Sequence, residues 1–181
     1  NFWYAHRRYD AAIACWEQAA RLDPNFATAQ RNLGIAYCNK RGDLVAASAA
    51  YARAFALNPH DARVLFEWDQ LDKKCNRPLD ERLARLQSHP ELVAQRDDLV
   101  IEQVTLLNLL GRHADAFAML MARNFHPWEG GEGSVLAQHE WSRMLMGYAA
   151  LDAEDAPRAR AHFEAAIRVP KNLGESRHPL A

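Results

Sequence analysis

A small residue, an aromatic and a second small residue recur at helical spacing along the chain. Ala12, Trp16 and Ala19 stand at i, i+4 and i+7 ahead of Pro24, and Ala47, Tyr51 and Ala54 repeat the figure ahead of Pro59. Ala159, Phe163 and Ala166 do so before Pro170, and Ala116, Leu120 and Arg123 give a weaker copy before Pro127. This period places each trio on one face of a helix. Small residues one turn either side of a ring let a neighbouring helix approach while the ring fills the gap, and the proline then stops the helix. Ahead of the second copy, Asn32-Leu33-Gly34 and Tyr37 lie on a helix whose Gly34 admits a close crossing, and Gly42-Asp43 makes the turn. The pattern therefore predicts antiparallel helix pairs repeated along the chain.

Composition agrees. Among 181 residues there are 33 Ala and 18 Arg but only 4 Lys, and just 13 β-branched residues, so a sizeable sheet is excluded. The net charge of −1 gives no electrostatic reason to expect nucleic acid. Cys15, Cys38 and Cys75 show no metal or redox spacing and read as free thiols of a reducing compartment, which points to the cytoplasm. No apolar run is long enough for a membrane span. The amino terminus has neither a start Met nor a signal-peptide layout, and the chain reads as a piece of something longer.

The segment Ala27 to Pro59 resembles the tetratricopeptide repeat, a helix–turn–helix unit of about 34 residues. It carries Leu33-Gly34-x-x-Tyr37 on the first helix, Ala47-x-x-x-Tyr51-x-x-Ala54 on the second and the closing Pro59, with one extra residue before Gly42. The resemblance implies an all-α, right-handed superhelical solenoid of about five helix pairs, in units near 1–26, 27–61, 62–96, 97–127 and 140–170. The first unit lacks part of its leading helix. The third is degenerate, with Trp68-Asp69 in place of Leu-Gly and a second helix Leu79 to Ser88 that offers Leu79, Leu83 and Leu86 instead of the small–aromatic–small figure. The fourth has Gln103-Val104 at the same place.

Spacing between the key alanines requires an insertion. The intervals 12 to 47 and 47 to 116 fit one and two repeats plus a residue, but 116 to 159 is too long by about nine. The surplus is expected at 125–133, a Gly-rich stretch. The tail 171–181, with its glycine and prolines, is expected to be irregular. With the phrase His126 to Gly133, the tail also resembles, more faintly, the repeat tract of bacterial proteins that carry an N-terminal β-rich domain of unassigned function.

In such solenoids the first helix of each unit lines a concave wall that receives extended ligands. Carrying those positions onto this chain gives Arg31, Asn32, Cys38 and Asn39 from the second unit, and Arg63, Phe66, Glu67, Gln70 and Lys73 from the third. The fourth gives Glu102, Thr105 and Asn108, and the fifth gives Trp141, Met144, Leu145 and Tyr148. Some family members clamp a peptide carboxylate with Asn, Lys and Arg. Asn1, Asn32 and Arg63 fall at clamp-like places, but Glu67 takes a place that should be basic and repels a carboxylate.

The inserted loop is a second candidate. His126, Trp128, Glu129 and Glu132 combine a ring with carboxylates, a set that suits a sugar; the plain alternative is a long connection with Trp128 packed inward. Catalytic constellations are absent from the sequence. His139-Glu140 opens a zinc-protease string that Arg143 breaks, no nucleophile elbow occurs, and the glycines at 130, 131 and 133 lack the Lys-Ser/Thr of a phosphate loop. The expectation is a non-catalytic scaffold without cofactor or metal, binding a protein, a peptide or a neighbouring domain, with weak self-association through its apolar ends. The alternative is a helical accessory region of a carbohydrate-binding or carbohydrate-processing protein.

Overall fold

The computed structural model describes residues 2–126 and 128–174. They form helices joined by turns, and no strand occurs among them. Two compact units are present, residues 1–78 and 79–181. The division falls at Pro78, inside the third unit expected from sequence, between its two helices. Each unit is described by itself.

In unit 1, a single turn α1 (Phe2–Ala5) leads into α2 (Tyr9–Leu22), α3 (Ala27–Ala36), α4 (Leu44–Leu57) and α5 (Ala62–Lys74). Consecutive helices pack in turn, α2 on α3, α3 on α4 and α4 on α5. Ile13, Leu33, Ala36 and Ala50 form one cluster with Trp16 against it. A second holds Ala47, Tyr51, Ala54, Val64 and Leu71, with Phe55 and Trp68 packed on it. The recurring alanines are thus contact points: Ala12, Ala47 and Ala54 are buried. A Cβ on Gly34 would sit 3.0 Å from the Tyr51 ring, which is the close crossing expected from the sequence. Asp43 and Asp61 cap α4 and α5 by accepting from the amides of Ala46 and of Arg63 and Val64.

The extra residue before Gly42 has a structural outcome. After α3 the chain continues as a π turn, Tyr37–Arg41, and leaves it at Gly42 in the left-handed region, φ 68°. One added residue in a helix is absorbed by widening a turn, a device often found at functional sites.

Unit 2 contains α6 (Leu79–Gln87), a short α7 (Pro90–Val93), α8 (Asp97–Leu109), α9 (His113–Met121), α10 (Ser134–Asp152) and α11 (Ala156–Ala166). Helices α8, α9 and α10 contact one another, α10 packs along α11, and α6 lies on α8. Gly147 meets Phe163 as Gly34 meets Tyr51, but more tightly: a Cβ there would overlap the ring.

Two expectations change here. The surplus between Ala116 and Ala159 is shared between the connection and the helix, because α10 begins at Ser134 rather than near 140 and runs for 19 residues. The tail is not irregular throughout. Lys171–Leu173 form a 3-10 turn in which Leu173 is fully buried, and the Asn172 amide donates to the carbonyls of Leu120 and Arg123 at 3.0 and 2.9 Å. Those carbonyls lie in and just beyond the last turn of α9, where the helix has no internal donors for them. The expected irregularity of 175–181 lies outside the described residues.

Candidate functional site

Helices α3 and α5 present the groove positions of unit 1. Arg31 on α3 reaches Glu67 on α5 with both arms of its guanidinium, Nε donating to Oε2 at 2.8 Å and Nη2 to Oε1. The bond to Glu67 raises the Arg31 pKa further, so the guanidinium stays charged. The repulsion expected from Glu67 is thereby cancelled inside the protein. Asn32 and Phe66 are half-buried, and Asn39, Arg63 and Lys73 are exposed. Arg63 stands 3.8 Å from Asp61. The clamp-like Asn1 lies outside the described residues.

A pocket of about 330 Å³ opens on this wall. Ile35, Tyr51 and Leu71 give it apolar sides, and Cys38, Asn39, Glu67, Gln70 and Lys74 give it polar ones. Burial pushes the Tyr51 hydroxyl pKa well above its ordinary value, and this ring stays neutral. Lys74 Nζ donates to Cys38 Sγ at 3.7 Å, and Gln70 Nε2 is buried without a hydrogen-bond partner. Of the lining, the sequence pointed to Cys38, Asn39, Glu67 and Gln70 but missed Ile35, Tyr51, Leu71 and Lys74. Ile35 and Lys74 were legible in principle, as they follow Arg31 and Gln70 by one helical turn.

In unit 2 several expected wall residues are turned to internal use. Glu102 receives a bond from the buried Arg82 at 3.1 Å. The Thr105 hydroxyl donates to the carbonyl of Ile101. Asn108 is buried and its Nδ2 donates to Gln138 Oε1 and Ser142 Oγ, while His113 Nδ1 lies 3.3 Å from its Oδ1. These three arrangements share one cause: polar groups on a packed helix find partners on their neighbours. The α10 positions remain open. Trp141 is half-buried, Met144, Tyr148 and Leu151 are exposed, and the Tyr148 ring meets Phe163 edge-on at 5.4 Å.

The inserted loop satisfies itself. Trp128 packs against Gly131 so closely that a Cβ there would overlap the indole, and Glu132 accepts from the Gly130 amide at 3.2 Å. His126 is exposed, with its amide bonded to Asp97 at 2.9 Å, and Glu129 is exposed. The loop's Pro127 lies outside the described residues. Among the described residues no group of His, Cys, Asp or Glu is arranged to hold a metal ion, and no helix is long and apolar enough to cross a membrane.

Residues 4–40 match the TPR repeat family. Among solved structures the chain is similar to a crystal structure of MamA, with a TM-score of 0.61 at 15% identity, covering 91% of this chain and 90% of that one. The chain has a tetratricopeptide-repeat fold. A second tetratricopeptide-repeat structure, YrrB, described as a TPR protein with an unusual peptide-binding site, gives a TM-score of 0.63 at 18% identity over 92% of this chain and 80% of that one. A further MamA structure, from AMB-1, gives 0.58 at 18% identity over 91% of this chain and 90% of its own. Within this fold, Gly34 on α3 and Gly147 on α10 are the glycines at which Tyr51 of α4 and Phe163 of α11 make their close crossings, and the π turn follows α3.

Proposed function

We propose that the chain is a non-catalytic interaction scaffold that takes a protein or peptide segment along the α3–α5 wall of unit 1, with Arg31, Asn32, Asn39, Arg63, Phe66, Glu67, Gln70 and Lys73 as the contact set. The observation that carries this reading is the open pocket between the two first helices, with apolar sides and polar rim. Recognition by such repeats needs both: apolar area for affinity and a few placed polar groups for register. The exposed face of α10, through Trp141 and Tyr148, is a separate apolar contact surface in unit 2. A neighbouring domain of the same protein is a partner of the same chemistry. The fold's usual employment and the description of YrrB as peptide-binding support the reading.

The carbohydrate alternative finds no support in the loop, where the indole lies on Gly131 and the Glu132 carboxylate serves the loop's own backbone.

The test is panning of a phage-displayed random dodecapeptide library on the chain, followed by affinity measurement on the recovered peptides. Asn39→Ala with Phe66→Ala is expected to weaken binding about tenfold or more, two contacts at roughly 1 kcal/mol each. Val45→Ser, on the exposed outer face of α4, is expected to leave it unchanged. Equal loss in both variants, or in neither, removes the wall from the reading.

A further inference from the structure

We propose that the unit 1 pocket is a subsite for the side-chain carboxylate of a glutamate presented by the bound peptide, held by Lys74 and Gln70. The inference rests on the scaffold reading and adds the chemistry of the residue recognised.

The donors and acceptors around the pocket do not balance. Lys74 has no carboxylate partner among the described residues; its ammonium is turned to Cys38 Sγ at 3.7 Å, and a thiol sulfur is a weak acceptor. Gln70 Nε2 is buried with no acceptor. A buried donor without a partner costs stability, and an incoming oxygen would recover it. The pocket's own carboxylate cannot serve, because Glu67 is committed to Arg31 through both oxygens. Glu67 also lies seven residues from Lys74 on α5, about 10 Å along the axis, so a ligand carboxylate at Lys74 is far from it and faces a neutralised pair.

The remaining lining selects the side chain. Ile35, Tyr51 and Leu71 form an apolar approach to the two donors, and glutamate's methylenes suit it while its carboxylate reaches the ammonium. The π turn contributes directly: Cys38 and Asn39 belong to Tyr37–Arg41, so the residue that lengthens this repeat also shapes the pocket's edge. Cys38 is consequently a reporter of occupancy.

The probe is a random dodecapeptide library with amidated carboxyl termini, which leaves side chains as the only peptide carboxylates. Peptides selected on the full chain are expected to share a glutamate whose replacement by glutamine weakens binding about tenfold, the size of a charge-assisted hydrogen bond. Against Lys74→Met the same replacement should have no effect, and Lys74→Arg should restore part of it. Lys74 is exposed at the end of α5, so these variants are expected to fold; circular dichroism checks this. In a Cys15→Ser, Cys75→Ser background, bound peptide should slow iodoacetamide alkylation of Cys38 about fivefold or more, for a site closed by its ligand. If peptides bind and respond to Asn39→Ala with Phe66→Ala but show no glutamate dependence, or the dependence survives Lys74→Met, the subsite is refuted and the scaffold reading stands. If the library yields no binder, both fall together.

Discussion

Arg31 and Glu67, thirty-six residues apart, hold each other through two parallel hydrogen bonds across α3 and α5. The link joins α3 to α5 beside the pocket that Glu67 helps to line. Each side chain is only 21% exposed, so the pair is partly shielded from water and its removal has a one-sided cost. Glu67→Ala leaves a guanidinium half-buried without its carboxylate and is expected to lower stability by about 1–2 kcal/mol. Arg31→Met with Glu67→Met should recover much of that loss. Urea unfolding of the single and double variants measures both values; strictly additive losses would show that the two residues act independently.

Gly34 and Gly147 occupy equivalent places but differ in clearance. Alanine gains about 1 kcal/mol of helix propensity over glycine at either site. At Gly34 the new Cβ meets the Tyr51 ring at 3.0 Å, a contact that a small ring shift relieves. At Gly147 it overlaps the Phe163 ring, which must move much farther than the Tyr51 ring to make room. Gly34→Ala is therefore expected to be near neutral and Gly147→Ala to cost about 1–3 kcal/mol, as overpacking does. Thermal melts of the two variants give the order, and the reverse order contradicts the glycine geometry.

Asn172 closes the end of α9 from a distance in sequence. Its amide serves the carbonyls of Leu120 and Arg123, and its own carbonyl accepts from Phe125 at 2.8 Å. Asn172→Ala removes two side-chain bonds and is expected to cost about 1–2 kcal/mol. Amide exchange should quicken at the end of α9 and at Phe125 more than in α8. Uniform exchange behaviour would show that the 3-10 turn contributes nothing local.

His113 and His162 both resist protonation in the folded chain. Burial lowers the His113 pKa, and burial followed by the charges of Arg143 and Arg158 lowers that of His162. The unfolded chain takes up protons near the ordinary imidazole value of about 6.5 that the folded chain refuses. This contribution to stability is therefore complete above that value and is lost as pH falls from it toward the lower folded values. The His113→Gln, His162→Gln double variant is expected to lose less stability than the parent between pH 7.5 and 5.5, in buffered melts. Parallel pH profiles for the two proteins would rule the effect out.

The sequence by itself determined the repeat. Alanines at i and i+7 around Trp16, Tyr51 and Phe163, each closed by a proline, can be read without coordinates because helix periodicity and backbone sterics act over one or two turns. Gly34 and the extra residue before Gly42 were legible for the same reason, although the π turn that absorbs the extra residue was not. The tertiary structure decided how polar groups are used. Glu67 reads as an exposed, repelling charge until Arg31 arrives from another repeat; Asn108 reads as a wall residue until Gln138 and Ser142 take its donors; Asn172 reads as loose tail until it caps α9. Hydrogen-bond partners distant in sequence leave no periodic trace, so only packing could assign them. Packing likewise brought Lys74 beside Cys38, and with it the pocket.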